Sequence, residues 1–141
     1  MGMTAGSYNQ SDRDFLKIWW IIWAAVLFGL VAIYFALGRR SLPPGTAETK
    51  TLTGLIGLVP LFISIVIRWL VLPRYGDLRR AFPMFVLGLV LAEGCGLLGI
   101  FLGGPYRDDV FLLGVLGLLQ FAPWFARRLL EPAPTGYIPN N

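Results

Sequence analysis

Histidine is absent from this 141-residue chain. No imidazole is therefore available to ligate haem, copper, zinc or a di-iron pair, or to act as a general base. Cysteine occurs once, at Cys95, which excludes an internal disulfide and carries no redox signal. No basic residue neighbours Cys95 in sequence to activate its thiol. Lysine is missing from every long apolar run, so an intramembrane Schiff base is excluded as well. Nor can a nucleophile–base pair, a phosphate loop or a metal-ligand cluster be traced. The sequence predicts no catalytic residue, no metal site, no cofactor and no enzymatic activity.

Charge is scarce too: 14% of residues are Asp, Glu, Lys or Arg, against 56% hydrophobic ones. That balance lies outside the usual soluble range. The hydrophobicity is gathered into four runs, near residues 18–37, 51–72, 82–103 and 110–126. At ~1.5 Å per residue, about 20 helical residues match a ~30 Å hydrocarbon core, and in lipid such runs must be helices that satisfy their own backbone. The expected fold is all-α, a four-transmembrane-helix bundle over residues 18–128. A polar N-terminal tail (1–17) and a Pro-rich C-terminal tail (129–141) flank it. The net charge of +4 follows from basic flanks and reads as topology and anionic-lipid contact, not nucleic-acid binding. Arg13, Lys17, Arg68, Arg74, Arg79, Arg80, Arg127 and Arg128 fall on one side of such a bundle, and Arg39, Arg40, Lys50 and Arg107 on the other. The more basic side is expected in the cytoplasm. Both termini are then inside (N-in/C-in), in a multi-pass protein of the bacterial inner (plasma) membrane.

The first run is too long for a signal-peptide core and lacks a small-x-small cleavage site. Ser11 and Asp14 make a capping box ahead of it. Trp19, Trp20 and Trp23 near its start and Tyr34 near its end suit the two interfaces of a bilayer. Gly38–Lys50, with Pro43-Pro44-Gly45, reads as a loop. Pro60 is expected to kink the second run, and Ser64 to bond the carbonyl of Pro60 one turn back. Arg68 can snorkel to the interface or, as second choice, pair with Glu93. Pro83 fits the first turn of the third helix. The connection Gly103–Asp109 is so short that the third and fourth helices should be antiparallel neighbours. Asp108 and Asp109 read as a cap for the fourth helix. Gly54/Gly57 and Gly114/Gly117, each pair followed by a proline, form a faint internal echo.

Phe82 to Gly104 is apolar apart from Glu93 at its midpoint. An ionisable group near the bilayer centre is a functional-site candidate by default. Gly88, Ala92, Gly96, Gly99 and Gly103 recur at three- or four-residue spacing and form one smooth stripe for a neighbouring helix. Gly114 and Gly117 offer the same on the fourth run. Counted from the inward end, Glu93 is about eleven residues deep, Ser64 about eight and Gln120 about seven, heights within roughly 5–6 Å. A Glu93–Gln120 hydrogen bond with Ser64 nearby is therefore expected. It would act either as interhelical glue, with Glu93 protonated, or as a site where Glu93 takes up and releases a proton or cation.

Leu91-Ala92-Glu93-Gly94-Cys95-Gly96-Leu97-Leu98-Gly99-Ile100 resembles the ion-binding helix of rotary ATP synthase c subunits. That family carries an L-A-E-small-x-small pattern and a glycine six residues after the glutamate. The likeness spans residues 88–102, and Arg79, Arg80 and Pro83 are loosely similar to the family's basic, proline-containing loop. The resemblance implies that Glu93 is a proton- or sodium-binding carboxylate. The chain departs from the pattern at Pro60, Arg68 and a glycine-poor second run, where the family has a glycine ladder. Leu98 stands where an aromatic residue is usual, and Gln120 occupies the helix on which duplicated four-helix members carry their glutamate. The wider expectation is a small four-helix bacterial membrane protein that shares the helix style. Its favoured function is a non-catalytic accessory or structural subunit of a membrane complex, or a homo-oligomer packed through the glycine stripe. The alternative is a proton or cation carrier, or channel component, using Glu93. Expected partners are the lipid bilayer and other membrane subunits or further copies.

Overall fold

The computed structural model describes residues 5–37, 56–103 and 106–130. The loop expected at Gly38–Lys50, the start of the second run with Gly54, and the tail from residue 131 onward lie outside the described residues. Among the described residues the chain is helical and has no strand. Four α-helices carry it: α1 (Ala5–Leu37), α2 (Leu58–Val66), α3 (Leu78–Leu102) and α4 (Arg107–Leu119). α2 runs on through a π-helical turn, Ile67–Val71, and a 3-10 turn, Leu72–Arg74. A further 3-10 segment, Phe125–Leu130, follows α4. Two of the four helices are long and apolar enough to cross a membrane, α1 over Gln10–Leu37 and α3 over its whole length.

The boundaries depart from the expected ones for identifiable reasons. α1 starts at Ala5, so Ser11 and Asp14 lie inside the helix and do not cap it. Asp14 pairs with Lys17 one turn on at 2.7 Å, and Ser11 Oγ accepts from Arg79 Nη2 at 3.1 Å. α2 begins at Leu58, with Gly57 as its N-cap residue in helical backbone angles (φ −61°, ψ −22°). Pro60 thus falls in the first turn of α2, a position where helices accept proline. Asp77 caps α3 by accepting the Arg79 N–H at 3.0 Å, which starts the helix ahead of the apolar run and moves Pro83 beyond the first turn. α4 ends at Leu119, well short of Ala126. Pro123 cannot donate to the Leu119 carbonyl and its ring crowds that group. Asp108 and Asp109 lie in the first turn of α4, but Tyr106 is the N-cap residue and no side chain caps it. The two carboxylates complement the helix dipole instead, and Asp108 accepts from Tyr34 Oη at 3.0 Å.

α3 is the axis on which the other helices assemble. Its small residues let α4 approach backbone to backbone. A Cβ built on Gly114 would stand 2.5 Å from the Gly96 backbone, and one on Gly99 would stand 2.7 Å from Phe111 N. Gly117 faces Ala92, and Gly88 faces the Phe121 ring. These pairs climb one helix as they descend the other, so α3 and α4 are antiparallel. α1 takes the next sector, with Leu30 over Gly96 and Trp19 stacked on Phe85 at 4.3 Å. α2 takes the opposite one, with Leu61 against Gly117 and Ser64 against Gly88. Gly103 belongs to the turn, where a Cβ would meet the Gly99 carbonyl and Arg107. The stripe is therefore covered by the chain's own helices. The small residues that were expected to receive a neighbouring helix receive this chain's own helices.

Candidate functional site

All five tryptophans gather at one end of the bundle. Trp19 lies among Phe82, Phe85 and Phe125, and Trp20 meets Trp124 edge-on at 6.2 Å. Trp23 Nε1 donates to the Leu118 carbonyl at 2.8 Å, tying α1 to the last turn of α4. Trp69 and Trp124 are exposed, as an interfacial belt requires, but Trp19 is fully buried. The expected belt role is therefore corrected for Trp19, which is core.

Arg68 sits in the π-helical turn at the same end. Its Nε donates to the Gln120 carbonyl at 2.6 Å, and its guanidinium carbon lies 3.9 Å from the Phe125 ring centre. Gln120 is the C-cap residue of α4. The last carbonyls of a helix have no intrahelical donor and carry partial negative charge, so a cation there is favourable on both counts. Arg68 makes no ion pair with Glu93, which corrects that second-choice pairing. π-helical turns often occur at functional sites.

The three polar residues expected to converge are dispersed. Ser64 Oγ is buried and donates to the Gly88 carbonyl at 2.9 Å, not to Pro60. Gln120 keeps a buried Nε2 with no hydrogen-bond partner, and its side chain lines a groove with Leu61, Ile65, Leu113, Leu116 and Gly117. Glu93 is half-buried and has neither hydrogen bond nor ion pair among the described residues. The expected Glu93–Gln120 hydrogen bond is thus absent. Matching depth fixes height along the bundle but not direction around the helix. Ala92 is the residue that faces Gly117, and Glu93 is rotated ~100° from it, between buried Gly96 and exposed Val90.

The Ser64 bond predicts a measurable contribution. Ser64→Ala should lower the stability of the bundle by about 0.6–2 kcal/mol, the range of interhelical hydrogen bonds in membranes. Thermal denaturation in detergent reads it, and an unchanged melting temperature would mean that the hydroxyl adds nothing to helix pairing.

Two polar contacts were not foreseen, those of Arg68 and Trp23. A signal was present for both: an arginine inside an apolar run, and an indole a full turn deeper than its neighbours. Each has one polar tip that must find an acceptor when covered. Among the described residues no cluster of His, Cys, Asp and Glu could hold a metal ion. Cys95 is buried, its Sγ 3.9 Å from the Val110 carbonyl. Comparison with protein-family models, with curated proteins and with solved structures finds no match. The class defined by the fold is an all-helical bundle built on small-residue packing, with two helices suited to crossing a membrane.

Proposed function

We propose that this chain is a non-catalytic, multi-pass membrane protein of the bacterial inner membrane that serves as an accessory subunit of a larger membrane complex. The observation behind this reading is where the apolar surface lies. Ile21, Phe28 and Phe62 are 67%, 72% and 66% exposed, and Val59, Leu70, Val90, Phe101, Leu112 and Leu116 are exposed as well. In water such an exterior exceeds what a soluble monomer tolerates, whereas acyl chains match it. Arg68, Arg74, Arg79 and Arg80 share the tryptophan end, which suits a cytoplasmic interface and an N-in/C-in arrangement. α2 and α4 are too short to span as single regular helices. Irregular backbone at membrane depth is tolerated where protein covers it, as Arg68 covers the end of α4. With the glycine stripe covered, partner subunits or further copies would use the exposed apolar faces of α1 and α2.

The test is alkaline extraction of native membranes, then mass determination of the complex released in mild detergent. The chain should resist extraction and travel with other subunits in fixed ratio. Recovery in the wash overturns the membrane reading, and a lone monomer or homo-oligomer overturns the accessory one.

Glu93 favours a second reading, as a proton or cation carrier. An intramembrane carboxyl without a partner among the described residues is what ion handling requires. On that reading Glu93→Gln abolishes proton or sodium flux in proteoliposomes while the protein still folds. On the accessory reading the complex retains its composition, because the amide keeps size and hydrogen-bonding capacity. Flux that survives the substitution removes the carrier.

A further inference from the structure

We propose that Arg68 and the groove beside it form a binding site for one anionic phospholipid, with the phosphate on the guanidinium and an acyl chain along the groove. The inference rests on the membrane reading above. Arg68 is held from two sides, by the Gln120 carbonyl at 2.6 Å and the Phe125 ring at 3.9 Å. Among the described residues only Nε finds an acceptor, and the two Nη groups are not sealed from the surface. A guanidinium with its outer fork free is suited to bidentate phosphate recognition.

The groove that shares Gln120 with Arg68 decides the ligand class. The groove of about 230 Å³ begins at Gln120, the residue that holds Arg68, and runs between α2 and α4 along Leu61, Ile65, Leu113, Leu116 and Gly117. Ile65, which lines the groove, precedes Arg68 by three residues on the same helical run, and Gln120, which also lines it, holds the Arg68 Nε. Such a site has a charge at one end and hydrocarbon beyond it. A soluble anion would fill only the first part, and an apolar helix only the second. Exposed Trp69, its ring centre 5.2 Å from the guanidinium carbon, stands at the charged end, as indoles do where they meet lipid headgroups. Exposed Arg74, Arg79, Arg80 and Arg127 add a general attraction for anionic headgroups, but none of them lines this groove.

The test uses the full chain in detergent, with phosphatidylglycerol or phosphatidylcholine of matched acyl chains, read by native mass spectrometry and thermal shift. Wild type should retain phosphatidylglycerol about fivefold over phosphatidylcholine, the scale of one cationic side chain near a membrane surface. Arg68→Gln should bring that ratio close to unity, and Ile65→Trp, which fills the groove, should weaken retention of both lipids. Arg79→Gln with Arg80→Gln should keep most of the preference. Arg68→Lys guards against misfolding, because it keeps the charge and should retain part of the selectivity.

Absence of headgroup preference in wild type overturns the site. So does a preference that survives Arg68→Gln and vanishes in the Arg79/Arg80 variant. Inorganic phosphate giving the same thermal shift as phosphatidylglycerol also overturns the lipid assignment, in favour of a soluble anion. A chain that extracts into the aqueous wash fails the membrane reading, whereas one that stays in the membrane but shows no preference fails this site alone.

Discussion

Gly114→Leu separates α3 from α4, while Gly94→Leu leaves the protein intact. The two positions have the same residue type and differ only in what surrounds them. A Cβ on Gly114 would lie 2.5 Å from Gly96 N and Cα and 3.3 Å from the Ala92 carbonyl. All three are backbone atoms, so no side-chain rotation relieves the clash. The helices must move apart, and the antiparallel contacts at Gly99, Gly117 and Gly88 open with them. Overpacking of a core ordinarily costs about 1–3 kcal/mol, and a backbone that must shift along a whole interface lies at or above the upper end. Nothing lies within 4 Å of a Cβ on Gly94. There a leucine gains helix propensity of about 1 kcal/mol over glycine and adds apolar surface to an apolar exterior. Size-exclusion profiles and melting temperatures in detergent distinguish the two variants. A Gly114→Leu protein that melts like wild type would mean that α3 and α4 do not meet at Gly96.

The contrast shows which parts of the fold were legible. Glycine and alanine at three- and four-residue spacing mark a close approach of helices, and the Gly103–Asp109 connection named the partner as the next helix in the chain. Local pattern could not say whether the partner filled the stripe or left it for another molecule. That depends on how many helices compete for one face, a property of the whole bundle. Helix ends were misjudged where hydrophobicity was followed over local chemistry. Asp77 starts α3 outside the apolar run, and Pro123 ends α4 inside one. The same preference for hydrophobicity made residues 5–17 a tail, although the helix continues through them.

The candidate site was legible in its members and not in its connections. Depth counted along each helix brought Glu93, Ser64 and Gln120 to similar heights, but a hydrogen bond also needs them to point at one another. The π-helical turn adds to the difficulty, because it changes the angular phase of every residue after Ile67. That turn determines where Arg68 points, and its sequence, Ile67-Arg68-Trp69-Leu70-Val71, carries no proline or glycine to announce it. Glu93 stood out because an isolated carboxylate in hydrocarbon is conspicuous in any register. Arg68 did not, because its place near the end of an apolar run had an ordinary explanation in snorkelling.

Trp19→Ala is the other substitution with a large expected effect, and it separates a core role from an interfacial one. Trp19 is fully buried, stacked at 4.3 Å on Phe85, with Phe82 and Phe125 at 5.9 and 6.0 Å. Truncating a buried aromatic of this size costs about 3–5 kcal/mol, because the cavity closes only partly. Trp20, one position on and partly exposed, should cost much less when replaced by alanine. Trp19→Phe offers a sharper comparison. The indole Nε1 is buried with no acceptor, so losing it removes a penalty of about 1–3 kcal/mol that opposes the smaller ring's loss of contact. The phenylalanine variant should therefore melt near wild type and the alanine variant far below it. Trp20→Ala as harmful as Trp19→Ala would return both residues to an interfacial belt. The effect should also reach Arg68. Phe125 lies against Trp19 on one side and beneath the guanidinium on the other. A cavity at Trp19 loosens the ring on which that cation rests, so Trp19→Ala should weaken headgroup selectivity as well as stability, and Trp19→Phe should preserve both.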